Sequence, residues 1–305
     1  LSYGLLTSIS ANDNLVENGG FEVWQRGTTF NSIANGAFSA DRFIASYNGT
    51  PTLNITKETT IVDVGSIASL KLVVTAVGGS TIFALQQNIE NYLFYAGKTL
   101  SYSVRVNSNV ACYIGMGDGV GSATYSSAHS GNSTWQTLTI TRTIASVPTN
   151  LQVYFGFSGG TGVPVISTSY LDNAMLVIGG QPVNFVSMNA QTDLARCRRY
   201  FWRFGGNLST EAITGGMCIN ASQALLVFHH PGMRAAPAWS FTGGTLIRLT
   251  LNSSSQVLTT ANALNFGGND ASEILSSVST GLAAGDATVI WTSTTGAFID
   301  ATSDI

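Results

Sequence analysis

Charge is what this sequence has least of. Asp, Glu, Lys and Arg together make up 10% of the chain, against roughly 25% in an ordinary soluble domain. The 13 basic and 16 acidic residues leave a net charge of -3, a field that gathers neither nucleic acid nor an anionic membrane, so neither partner is expected. So little charge also gives little repulsion between copies, which suits a place in a large assembly better than free diffusion. Cysteine is scarce too. Cys112, Cys197 and Cys218 are an odd number without a CxxC pair, so no disulfide framework is expected and all three are read as reduced. Long apolar runs are missing: MLVIGG breaks at Gly179 and KLVVTAVGG at Gly78, far short of the ~18 residues of a membrane span, and no membrane insertion is expected. The opening LSYGLL has no basic n-region and reads as the remainder of a longer polypeptide, not as a signal peptide.

Catalytic signatures are absent as well. No Ser-His-Asp spacing nominates a catalytic triad. The glycines of GMGDGVG, Gly115 to Gly121, lack dinucleotide-binding spacing and lead into no helix, so they read as a loop between strands. No pair among the acidic residues is nominated for glycoside cleavage. His229 and His230 are adjacent and on a strand face opposite sides, which disfavours a shared metal; His129, in the turn-rich SSAHSGNS, is expected to be exposed. The chain is therefore expected to be no enzyme.

What is present is period-two alternation. In Thr99 to Val106, residues Leu100, Tyr102, Val104 and Val106 share one side against Ser101, Ser103 and Arg105, the pattern of a half-buried antiparallel strand. Gln136 to Arg142 alternates Leu138 and Ile140 with three threonines, and Leu151 to Phe157 sets Leu151, Val153, Phe155 and Phe157 against Gln152, Tyr154 and Gly156. Further strands are expected at Ser69 to Val74, Ile82 to Ile89, Ala111 to Gly115 and Ser169 to Val177. Short strands punctuated by Gly and Asn predict a β-sandwich or jelly roll. After Gly179 the period changes: Leu194, Cys197, Phe201 and Phe204 recur at helical spacing, predicting one helix over Asn189 to Phe204 with Thr192 or Asp193 as N-cap. Its other face carries Arg196, Arg198, Arg199 and Arg203, read either as a solvated, salt-bridged face or as a contact with a neighbouring subunit. Strands resume at Met217 to Ala221, Ala224 to His229, Trp239 to Thr242, Leu246 to Leu251 and Ala287 to Thr292. The expected fold class is all-β: a connector at 1–13, a jelly-roll β-sandwich at 14–180, a linker with a short α-helix at 181–206 and a smaller C-terminal β domain at 207–305.

Two resemblances follow from particular residues. Asn18, Gly19, Phe21 and Glu22, then GKTLSY (Gly97 to Tyr102), Trp135 with Gln136, and Leu171, Asp172 and Asn173, taken in that order, resemble jelly-roll carbohydrate-binding modules of the kind attached to xylanases and cellulases. FEVWQRGTTF (Phe21 to Phe30), ADRF (Ala40 to Phe43), DLARCRRYF (Asp193 to Phe201) and PGMRAAPAW (Pro231 to Trp239) together resemble tailed-bacteriophage virion proteins of the tail-fibre and receptor-binding type, with Phe43 where Trp is commoner.

The second resemblance implies a structural and adhesive virion component in the tail, contacting other virion proteins and host-surface polysaccharide, and a homotrimer. A carbohydrate-binding module of a secreted bacterial enzyme and a head-decoration protein are the alternatives. The first resemblance implies a structural Ca²⁺ with Glu22 and Asp172 as ligands where the first and last strands meet; otherwise each carboxylate pairs with Arg26, Arg42 or a backbone amide. It also implies sugar stacking on tyrosines. Tyr113, Tyr154, Tyr125, Tyr92 and Tyr95 are the candidates, with Tyr154 favoured because it falls on the polar side of its strand; the alternative for each is the core, where Trp24 and Trp135 are placed.

Overall fold

The computed structural model describes residues 10, 13–157, 164–230, 232–242, 246–250, 255–257, 263–292 and 295–304, those from 246 to 266 by backbone alone. LSYGLL, most of the expected connector and Pro231 lie outside the described residues. The chain divides into two compact units, Leu1–Cys197 and Arg198–Ile305.

In the first unit the alternating segments become β1 (Thr29–Phe30), β2 (Ile44–Tyr47), β3 (Thr52–Glu58), β4 (Ser69–Ala76), β5 (Phe83–Asn88), β6 (Thr99–Ser108), β7 (Tyr113–Gly117), β8 (Thr124–Tyr125), β9 (Trp135–Thr143), β10 (Gln152–Gly156) and β11 (Ser167–Ile178). They form two antiparallel sheets, one ordered β1-β3-β4-β11-β6-β9 and the other β2-β5-β10-β7-β8. The chain crosses repeatedly from one sheet to the other, and the inward residues of both fill one core, so the unit is a jelly-roll β-sandwich. Leu100, Tyr102, Val104 and Val106 of β6 meet Val153 and Phe155 of β10 there, each contributing about 1.5–3 kcal/mol through burial.

The opening segment is fastened to the last strand. Asn14 donates from Nδ2 to the Ala174 carbonyl at 2.8 Å and accepts at Oδ1 from the amides of Val16 and Leu176. Leu15 N–H donates to Leu176 O, and Ala174 N–H to Gly19 O. A Cβ on Gly19 would lie 2.2 Å from the Ala174 carbonyl oxygen, which is why the tight approach requires glycine there. Asn18, at φ 56, closes the loop by accepting from Val23 N–H and donating to the carbonyls of Val23 and Asp41.

The expected helix is shorter and capped differently. Helix α1 is Ala190–Arg198, and the backbone then enters β12 (Phe201–Gly205). Phe201 and Phe204 fit a helical period only by coincidence. FWRF is rich in aromatic β-formers, and in the strand Trp202 and Phe204 fall on one side and Phe201 and Arg203 on the other. Asn189, not Thr192 or Asp193, caps the helix, accepting from Gln191 N–H at 3.0 Å. Asp193 instead turns into the first unit and accepts from Asn18 N–H at 3.0 Å.

The second unit adds β13 (Ala212–Asn220), β14 (Gln223–His229), β15 (Ala238–Thr242), β16 (Leu246–Thr250), β17 (Ser255–Val257), β18 (Ala263–Gly267), β19 (Ala271–Ser277), β20 (Ala287–Thr292) and β21 (Phe298–Thr302). Sheets ordered β12-β21-β15 and β17-β16-β20-β13-β14-β19-β18 enclose a small core of Leu226, Phe228, Ile274, Ile290 and Ile299, with Phe204 and Trp239 against it. Three local expectations change. His129 is buried, not exposed, because its ring is held by Thr134 O at 3.0 Å and by Gly131 N–H at 2.9 Å. Gly115 and Gly117 lie within β7, not in a loop. Trp135 is half-buried at the start of β9 and is not part of the core.

Candidate functional site

The register of the five-stranded sheet gathers three of the five candidate tyrosines on one surface. Because Val153 and Phe155 point into the core, Tyr154 points out. One row across the sheet then reads Ile44, Gln86, Tyr154, Gly115 and Tyr125. The row on one side holds Asn88, Gln152 and Gly117, and the row on the other Gly156 and Tyr113.

Glycine shapes this surface. The Tyr154 ring lies flat over β7, so that a Cβ on Gly115 would meet its Cε2 at 2.0 Å. That leaves Tyr154 buried although it faces outward, while Tyr125, with its ring centroid 6.0 Å away at 58°, is 37% exposed. Burial first, and then a hydrogen bond to Tyr125, hold the Tyr154 hydroxyl well above its ordinary range, so it stays a neutral donor. Beside the rings, Gln152 Nε2 donates to Asn88 Oδ1 at 2.8 Å, and Gln86 is half-buried. The rows carry phenols and amides and no charged side chain.

Tyr125 is positioned from the other sheet. Arg142 of β9 stands opposite Leu100 and so turns inward at the sandwich edge. It holds Asp118 with two hydrogen bonds, Nη2 to Oδ1 at 2.6 Å and Nε to Oδ2 at 3.2 Å. It also donates to the carbonyls of Val120 and Ser122 and to Thr124 Oγ1. One side chain thus fixes the loop that delivers β8. Burial alone would raise the Asp118 carboxyl, but hydrogen bonds from Arg142 and from the Ala145 and Val120 amides outweigh it and hold it below the usual range.

The other candidates are placed elsewhere. Tyr92 and Tyr95 lie on a 3-10 helix, Tyr92–Tyr95, where Tyr95 is a core residue and Tyr92 packs against the core. Arg196 is bound within its own unit, donating to Asn14 O at 2.9 Å and lying 3.8 Å from Glu17. Arg203 makes a two-bond pair with Asp300 at 2.8 Å and stacks 3.4 Å from the Phe298 ring centroid. Arg198 lies over Trp202, and Arg199 is exposed.

Glu22 and Asp172 have different surroundings. Asp172 is fully buried, and its two oxygens accept from Asp63 N–H at 3.0 Å and Asn173 N–H at 2.8 Å; burial, with a smaller push from Asp63, raises its carboxyl to about 6. Glu22 is raised by burial and by Asp193, with Lys57 opposing. Glu22 lies beside Asp193 and Lys57, whereas Asp172 lies beside Asp63, Ser66 and Asn173, so these two carboxylates are not brought together around one calcium, which needs six to eight oxygens. Among the described residues no group of three or more His, Cys, Asp or Glu is placed to hold a metal. The three cysteines are buried and unpaired with one another, with the Cys112 thiol pushed up to about 12 by burial. Among the described residues no helix is long and apolar enough to cross a membrane.

Compared with known proteins, the chain matches no family model, and no curated protein matches it. Solved structures show a distant likeness. The enzymatically active domain of tailspike protein 4 of bacteriophage CBA120 is 14% identical with a TM-score of 0.39, over 56% of this chain and 22% of that one. The C-terminal family 22 carbohydrate-binding module of Clostridium thermocellum Xyn10B is 19% identical with a TM-score of 0.37, over 57% of this chain and 100% of that one. The tandem CBM22-1–CBM22-2 domain of Paenibacillus barcinonensis Xyn10C is 10% identical with a TM-score of 0.35, over 98% of this chain and 100% of that one. At these identities and TM-scores none of the three assigns a family or a ligand to this chain.

Proposed function

We propose that the outer face of the five-stranded sheet binds neutral glycans, and that the chain is a structural and adhesive component of a phage virion, of tail-fibre or receptor-binding type, touching host-surface polysaccharide. The observation that carries the binding half is the uncharged surface of Tyr113, Tyr154 and Tyr125 over a glycine floor, flanked by Gln86, Asn88 and Gln152. Aromatic faces offer apolar contact to the C–H side of a pyranose, and amides offer both donors and acceptors to hydroxyls. A charged ligand would find no counter-charge there. Support for the virion half is the ordered run of phrases from Phe21 to Trp239 and the low charge of the chain. Assembly as a homotrimer with other virion proteins belongs to that reading. A binding module of a secreted bacterial enzyme, or a head-decoration protein, is the second reading, because the same face would serve either.

The test is binding of the labelled, purified chain to candidate bacterial host cells before and after periodate oxidation of their surface sugars, with Tyr125→Ala and Tyr154→Phe as variants. Loss of binding after periodate, and at least about a tenfold loss (roughly 1.4 kcal/mol) in Tyr125→Ala, is the expected result. Binding that survives both treatments sinks the glycan reading.

A further inference from the structure

The opposite sheet carries a second cavity. A pocket of about 380 Å³ opens on the outer face of the six-stranded sheet, lined by Arg105 and Ser103 of β6, Thr137 of β9, Asn173 of β11, and Asp63, Asn184 and Phe185 from flanking segments. It shares no residue with the tyrosine surface.

Its floor is built and held. Arg105 donates from Nε and Nη2 to the two oxygens of Asp63 at 2.7 and 2.9 Å, and from Nη1 to Thr137 Oγ1 at 3.1 Å. A β-bulge between Asp172 and Met175 puts Asn173 in the left-handed region at φ 53 and re-aims its side chain. Asn173 Nδ2 donates to Asp63 Oδ2 at 3.0 Å, and its Oδ1 accepts from Ser66. The wall is fixed as well: Ser103 donates to the Val183 carbonyl at 3.1 Å, and Phe185 closes against Gly19 and Gly20.

The chemistry of the lining selects a ligand class. Arg105 and Asp63 neutralise each other in a two-bond pair, so the pocket offers an anion or a cation no net partner. Three of the five guanidinium N–H groups are engaged, leaving two as donors. The exposed Asn184 makes no hydrogen bond with a described residue and adds a free amide. Phe185, Val183 and the 96% exposed Val64 supply apolar surface at the wall and mouth. An aromatic wall with unused donors and acceptors and no net charge suits a polyhydroxylated neutral molecule, and the volume lies at the small end of the ~300–1,000 Å³ of ligand pockets. We infer that this pocket is an independent second glycan site, sized for a neutral mono- or disaccharide, which would make the first unit bivalent. It does not depend on the tyrosine surface binding anything.

The experiment is NMR titration of the isotope-labelled chain with glucose, galactose, mannose, lactose and cellobiose, and with galacturonate and inorganic phosphate as charged controls. At least one neutral sugar is expected to move the Arg105 Nε and the Asn173 and Asn184 side-chain amide signals, with a Kd of millimolar order. Asn184→Ala should weaken that response about tenfold and Thr137→Trp, which fills the mouth, should abolish it, both with wild-type melting. Tyr125→Ala should leave the response intact while removing any shift at Gln86, so the two sites fail separately. The inference is overturned if no neutral sugar moves these signals, if phosphate or galacturonate moves them more strongly, or if the response persists in a folded Thr137→Trp variant.

Discussion

Gly115→Ala puts the geometry of the tyrosine surface to a stringent test. The backbone at Gly115 is ordinary strand, so alanine there incurs no dihedral strain, and in isolation the substitution should help, since glycine inside a strand costs roughly 0.5–1 kcal/mol relative to alanine. The side chain has nowhere to go. Its Cβ would stand 2.0 Å from Cε2, 2.6 Å from Cζ and 2.7 Å from Cδ2 of Tyr154, so the ring must lift by more than an ångström (order of magnitude, from the ~3.5–4.0 Å of an ordinary carbon contact). Overpacking of this kind costs about 1–3 kcal/mol, and the net loss should be on the order of 1–2 kcal/mol after the propensity gain. Gly117→Ala is the control, because its Cβ would meet Ala123 Cβ at 3.7 Å and Tyr154 Cε1 at 3.8 Å, both ordinary contacts, so it should be neutral or stabilising. Urea unfolding of the two variants and the wild type measures the difference. On the proposed reading, sugar affinity should fall in Gly115→Ala and not in Gly117→Ala, since only the former displaces Tyr154, against which the exposed Tyr125 ring packs. If Gly115→Ala is as stable as Gly117→Ala, Tyr154 does not lie over β7 and the argument for this surface fails with it.

Two further outcomes are expected. Asp118→Asn should destabilise the first unit by about 3 kcal/mol at pH 7, by leaving the Arg142 charge poorly paired. The Asp118 carboxyl is held below its ordinary value in the fold, so its stabilisation is present above about pH 4 and is lost as pH falls through the folded value. The gap between wild type and variant in urea melts should therefore close toward pH 3, and a gap that widens in acid would contradict the pairing. Addition of EDTA should leave the melting temperature of the first unit unchanged, because Glu22 lies beside Asp193 and Lys57 while Asp172 is held by the Asp63 and Asn173 amides, so the two carboxylates do not converge on one ion; a fall in melting temperature that calcium restores would refute this.

Much of the sandwich is legible because apolar and polar residues alternate along strands such as β6 and β9. Leu100 to Val106 and Leu151 to Phe157 could be assigned sides from sequence, and those sides are the ones observed. What alternation does not encode is which strand lies beside which. The sequence places Tyr154 on the polar side of β10, but its meeting with Tyr125 and Tyr113 depends on the register with β7 and β8, and β8 is two residues long. Gln152 sat on the same side of the same strand as Tyr154, which was a readable signal; Gln86 and Asn88 were not distinguishable from other polar strand residues. The second cavity had no linear signature at all, since it needs a bulge at Asp172 and an ion pair between Asp63 and Arg105, residues far apart in the chain. The helix is overextended for a different reason: Leu194 and Cys197 do lie on α1, whereas Phe201 and Phe204 fit the same 3.6 period by chance and belong to β12, paired along its length with β21.

The scarcity of charge and the two proposed surfaces have one physical basis. The few arginines of the first unit are spent on internal geometry: Arg42 donates to Asn88 O beneath the amide row, Arg105 holds Asp63, Arg142 holds the loop before β8, and Arg196 ties α1 to Asn14. Each of these arginines has a carboxylate within ion-pair distance, so the charges are compensated where they lie and little of their field reaches the sheet faces. A neutral polyol gains nothing from long-range attraction and must be recognised by hydrogen bonds and ring contacts whose geometry is already set before it arrives, since any ordering of side chains on binding subtracts from a modest affinity. A surface of tyrosine over glycine, with its loop clamped by the half-buried Arg142, supplies that rigidity without placing a charge in the ligand's path.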